Sequence, residues 1–124
     1  MDSILQFYKE TRQRFPHLVE KIDREHRKSW DLDDEYAYCW FQSLANTTNA
    51  AMRKETGVDD AAMVFDYMTE RFLVGDADIR NCIDVSFVEN LFWQVSQQKA
   101  RSYWQRMPEL LRNLYLNFHG QPPC

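Results

Sequence analysis

An all-α fold, a compact single-domain bundle of about six or seven helices, is what this sequence predicts, on three observations. Apolar residues recur at a spacing near 3.6 in every segment. Glycine and proline, the residues that punctuate turns, number only three and four in 124, so breaks are few and helices long. No stretch alternates apolar and polar residues between hairpin turns, as a half-buried strand would. The run from Cys82 to Val95, rich in Val, Ile and Phe, is the one place where a strand is conceivable. Residues 1–120 are read as a single helical domain and 121–124 as a flexible tail. With 44% hydrophobic and 15% aromatic residues, the chain has material for a core and is not intrinsically disordered.

Ser3 is the expected cap of a first helix carrying Ile4, Leu5, Tyr8, Thr11 and Phe15 on one face. Pro16 ends it or opens the next. Leu18, Val19, Ile22 and His26 mark a second amphipathic stretch, whose other face is charged and includes Asp23. Trp30–Glu35, WDLDDE, is an acidic connector in which Asp33 or Asp34 caps the long helix that follows. That helix carries Ala37, Trp40, Phe41, Leu44, Thr48 and Ala51 in a stripe, and Gly57 is its expected stop. Asp59 is expected to cap a fourth helix with Ala61, Val64, Phe65, Met68 and Phe72 inward, ended by Gly75. Asp76 or Asp78 starts a fifth, apolar on several sides and so the most buried. Ser96 caps a sixth with Ala100, Tyr103, Trp104 and Met107, and Pro108 divides it from a seventh with Leu110, Leu111, Leu114, Tyr115 and Phe118, closed by Gly120.

Charge is unevenly spread. The net charge is −4, yet residues 29–89 hold thirteen acidic and four basic side chains, while both flanking segments are net positive. The N-terminal basic residues are interleaved with acids, and the overall sign is wrong for counterion release, so nucleic acid is not an expected partner. No apolar run of 18 residues exists and none follows a basic start, so neither a membrane span nor an export signal is expected. Three cysteines, Cys39, Cys82 and Cys124, do not suggest a disulfide framework. A cytoplasmic location is the expectation.

Catalytic and metal-binding patterns are missing. His17 and His26 stand nine apart and His119 far from both, with no HExxH, CxxC or Glu-x-x-His, so no metal is expected, and the first two histidines are read as partly exposed. Three glycines cannot build a phosphate cradle, and no cofactor is expected. Cys39 and Cys82 lie within apolar helices without a neighbouring cation or helix start that would activate a thiolate. The protein is therefore not expected to be an enzyme. The carboxylates Asp31, Asp33, Asp34 and Glu35, and secondarily Asp59 and Asp60, are candidates for an acidic docking face, against the plainer reading that they cap helices and meet solvent. Trp30, in a polar connector beside acids, is the best anchor, whereas Trp93 and Trp104 are read as core.

Residues 72–91, FLVGDADIRNCIDVSFVENL, and 107–120, MPELLRNLYLNFHG, carry a resemblance. They are similar to small bacterial proteins in which a Gly-Asp turn precedes a helix ending near F-x-E-N-L and a P-x-x-L-x-x-x-Y helix follows; these resemble immunity proteins of bacterial toxin systems. The matching positions are Gly75, Asp76, Ile83, Glu89, Asn90, Leu91, Pro108, Leu111 and Tyr115, and none brings a functional role with it. The resemblance implies a binding protein that occludes a toxin domain, and an acidic face would suit a toxin with a basic cleft. The second expectation is a structural or regulatory helical adaptor, self-associating or bound to another helical protein, with an apolar contact patch. The third is an enzyme or small-ligand binder, which requires a pocket with convergent polar groups.

Overall fold

A computed structural model describes residues 2–124. Among them there are seven α-helices and no strand: α1 (Ser3–Arg14), α2 (Pro16–His26), α3 (Ala37–Arg53), α4 (Val58–Val74), α5 (Ala77–Asn81), α6 (Gln97–Arg106) and α7 (Glu109–His119). The strand conceivable over Cys82–Val95 does not form. Instead α5 runs on as a π-helical segment, Cys82–Phe87, then a 3-10 turn, Val88–Asn90. The wider π turn, in which the Val88 N–H reaches the carbonyls of Ile83 and Asp84, rotates the apolar positions. Cys82, Ile83, Phe87 and Val88 thereby all face inward, which accounts for a segment apolar on more than one side.

The chain starts and stops its helices with local chemistry, in places other than expected. Asp2 rather than Ser3 caps α1, its carboxylate accepting the N–H groups of Ile4 and Leu5. Pro16 occupies the first turn of α2, where its missing N–H costs nothing. Gly57, with φ of +66°, is the residue before α4 and not the stop of α3, so Asp59 sits inside the first turn instead of capping it. Asp76 caps α5 through the Ile79 N–H, and Ser96 caps α6 through that of Lys99. At Gly75 a Cβ would stand 2.6 Å from the Arg71 carbonyl oxygen and 2.7 Å from Ile79 Cγ2. Only glycine lets α4 hand over to α5 this tightly.

Helix α3 is the axis, packing against α1, α2, α4, α6 and the π segment. Its buried set, which includes Trp40, Phe41, Leu44, Ala45 and Met52, meets Phe7, Ile22, Phe65 and Ile83 in one hydrophobic core. Phe7, which lies off the expected stripe of α1, stacks on Phe41 with ring centres 4.4 Å apart. Phe92, Trp104 and Tyr115 form a second trio of edge-to-face contacts, with ring centres 5.5–5.9 Å apart. Each such pair adds about 1 kcal/mol beyond the area it buries.

Asp23 departs from the expected charged face of α2: it is buried. Arg12 grips it with two nitrogens, at 2.6 and 3.1 Å, and the Trp40 indole N–H donates to it at 2.9 Å. The Arg12 guanidinium also lies over the Tyr8 and Trp40 rings. This network ties α1, α2 and α3 together, because a buried carboxylate is tolerable only when it is paired and fully hydrogen-bonded.

Candidate functional site

The acidic connector between α2 and α3 is a fixed ledge. His26, expected at the surface, is 1% exposed. Its Nε2 lies 3.0 Å from the Asp31 carbonyl oxygen and its Nδ1 3.0 Å from Ser43 Oγ. A carbonyl only accepts, so Nε2 donates to Asp31 and anchors the connector from below. Ser29 and Trp30 return their N–H groups to the His26 carbonyl, and the half-buried Trp30 ring stacks on the imidazole, 5.6 Å between centres. Leu32 packs on the core. Asp33 accepts the Glu35 N–H on its side chain at 2.8 Å and the Tyr36 N–H on its carbonyl, starting the 3-10 turn Asp34–Tyr36. Asp31, Asp33, Asp34 and Glu35 are all exposed, and among the described residues none of the four is in an ion pair.

Asp59 and Asp60 lie elsewhere. They occupy the first turn of α4, beyond the C-terminal end of α3, whereas Glu35 precedes its start. The 17 residues of α3 separate the two clusters by about 25 Å at 1.5 Å per residue. Asp59 pairs with Arg106 and Asp60 with His17, each at 3.1 Å. The six carboxylates therefore form no single face, and among the described residues the four of the connector are the ones without an ion pair.

The exposed tryptophan is Trp93, at 62%, and not Trp30. Its neighbours Phe92 and Gln94 both adopt positive φ, +67° and +54°, which costs side-chain-bearing residues about 1 kcal/mol or more each. The strain is held by α3. Asn49, fully buried, donates to the Asn90 carbonyl at 2.8 Å and accepts the Phe92 N–H at 2.7 Å. Arg53 donates to the carbonyls of Trp93 and Gln94. Sequence reading assigns Trp93 to the core because it stands in an apolar run; only the backbone reversal at Phe92 turns it outward. Trp104, half-buried, does pack on the core as expected.

The remaining polar groups are quiet. Burial pushes the Cys82 and Cys39 thiols up from their ordinary value, which keeps both protonated and unreactive at neutral pH. Burial raises the Asp84 and Glu89 carboxyls, and Asp84 raises Glu89 further. Among the described residues no three His, Cys, Asp or Glu side chains gather where they would hold a metal ion, and no helix is long and apolar enough to cross a membrane.

Compared with known proteins, residues 8–120 match the model of a family described as a domain of unknown function, DUF7674. No curated protein and no solved structure matches the chain.

Proposed function

The chain belongs to the DUF7674 family, and we propose, from the geometry of its acidic connector, that it is an immunity-type binding protein: it neutralises a toxin domain by covering a basic cleft with the ledge at Trp30, Asp31, Asp33, Asp34 and Glu35. The observation that carries this reading is the combination of four exposed carboxylates without ion pairs and a rigid base under them. An acidic segment whose partners are internal has no charge to offer. A floppy one would lose ordering entropy on binding. Here His26, Asp33 and Leu32 have already fixed the backbone. A preformed negative edge speeds encounter with a positive cleft, and its effect is screened by salt.

The test begins with affinity capture of the tagged protein in moderate salt, followed by expression of the captured partner alone and together with this chain. Growth arrest by the partner, relieved by co-expression, is expected. Replacing Asp31, Asp33, Asp34 and Glu35 together with Ser should then slow association about tenfold or more at low salt and flatten its salt dependence. A captured partner that is harmless, or unchanged association kinetics, would refute the proposal.

A second reading, a self-associating or adaptor protein, is favoured by exposed apolar side chains that are not part of the ledge: Leu73 and Val74 at the end of α4, Trp93, and Phe118 of α7. It predicts a molecular mass in solution that rises with protein concentration and does not fall with salt.

A further inference from the structure

Beside α2, from Leu18 to Lys28, that helix, α3 and the start of α4 enclose a groove of about 580 Å³. Its walls carry Lys21, Arg24, Lys28 and Lys54 against only Glu25 and Asp60, a local excess of positive charge in a protein of net charge −4. Both acids are already answered, Glu25 by Lys28 at 2.9 Å and Asp60 by His17 at 3.1 Å. Arg24 holds only an exposed pair with Glu20, of a kind that contributes little and is easily exchanged. Lys21 and Lys54 come from different walls, α2 and the turn after α3, and among the described residues neither has a carboxylate within ion-pair distance.

The floor is apolar, formed by Leu18, Ile22, Leu44, Ala51, Ala61 and Val64. Ile22, Leu44 and Val64 are almost completely buried in the core, so the trough offers a strip of methyl groups and not a broad helical face. The hydroxyls of Thr47 and Thr48 donate to carbonyls of their own helix, at 2.8 and 2.9 Å. Anion recognition therefore falls on the lysines. The volume lies within the range of small-molecule sites, roughly 300–1,000 Å³.

We infer that this groove binds a small organic anion with an apolar body, its charged group between Lys21 and Lys54 and its body on the floor beneath. The inference does not rest on the function proposed for the acidic ledge.

Naphthalene-2-sulfonate is a suitable probe, followed by amide chemical-shift mapping on the whole chain. Saturable shifts confined to residues 18–28 and 47–64 are expected. Replacing Lys21 and Lys54 with Gln should weaken binding about tenfold or more while leaving the rest of the spectrum unchanged. The neutral naphthalene-2-sulfonamide and inorganic sulfate, which test the apolar body and the charge separately, should each bind at least about tenfold more weakly than the probe. The inference is overturned by shifts centred elsewhere, by equal binding of the sulfonamide or of sulfate, by unchanged affinity of the double variant, or by no saturable binding.

Discussion

Asp23 shows how one side chain can hold three helices. It is the common acceptor for Arg12 and the Trp40 indole, buried between α1, α2 and α3. Asp23→Ala leaves a half-buried guanidinium and a buried indole N–H unanswered, and should cost about 2–3 kcal/mol in urea unfolding. Asp23→Asn, which keeps one acceptor oxygen but not the charge, should cost less. Equal losses would mean that packing and not the ion pair is at stake. Asp84 is the opposite case. Burial raises its carboxyl, so the folded state binds its proton more tightly than the unfolded state does. Stability then falls as pH rises from the ordinary carboxylate value through the raised one, and stays lower above it. Asp84→Asn should therefore raise the thermal midpoint at pH 7 by about a degree, and the gain should vanish near pH 3, where Asp84 is protonated in both states. A gain of the same size at both pH values would rule out this electrostatic origin.

Among the elements, the two connecting segments at the ends of α3 behave differently from ordinary loops. The acidic ledge is anchored by a buried histidine at the N-terminal end. The strap from Leu91 to Val95 is anchored by Asn49 and Arg53 near the C-terminal end. In the strap, two positive-φ residues are tolerated because the Asn49 amide satisfies backbone groups that have no helical partner. Asn49→Ala should cost about 2–3 kcal/mol, since both partners are left buried and unmade. It should also speed hydrogen exchange at the Phe92 amide far more than at amides in α4. Uniform acceleration across the chain would show that Asn49 supports the fold as a whole and not the strap. Neither anchor is visible along the chain: His26 and Asn49 reach their partners through space, and a polar residue in an amphipathic pattern reads as surface until its partners are known. The 3.6 spacing places His26 on the inward face of α2, so its burial, though not its two hydrogen bonds, lies within reach of pattern reasoning.

At the scale of the whole molecule, folding gathers charge into patches. Four carboxylates without an ion pair among the described residues stand on the connector, and a cation-lined groove runs along α2 and α3 to the start of α4. The uneven charge is already evident along the chain, where residues 29–89 are strongly acidic. Its meaning changes on folding. Asp59 and Asp60 belong to the acidic segment by sequence, yet in space Asp59 pairs with Arg106 and Asp60 meets the His17 ring. Lys21, Arg24 and Lys28, diluted among acids when counted linearly, line one groove because seven residues are nearly two turns of a helix.

The all-α class, a count of about six or seven helices and several of their stops follow from the sequence alone, because helical hydrogen bonds are local and the 3.6-residue repeat records which side faces inward. The inward placement of Trp40, Phe41, Leu44, Phe65 and Leu111 is of this kind. What only the tertiary structure decided is which polar groups are paired and which are left open. Asp23 and Asp60 carry the same side chain as Asp31 and Asp33, and no local pattern tells them apart. The difference is made by Arg12 and Trp40, and by His17, brought to them across helices. Contacts between residues distant in sequence depend on how helices cross, and a crossing is set by the packing of the whole core.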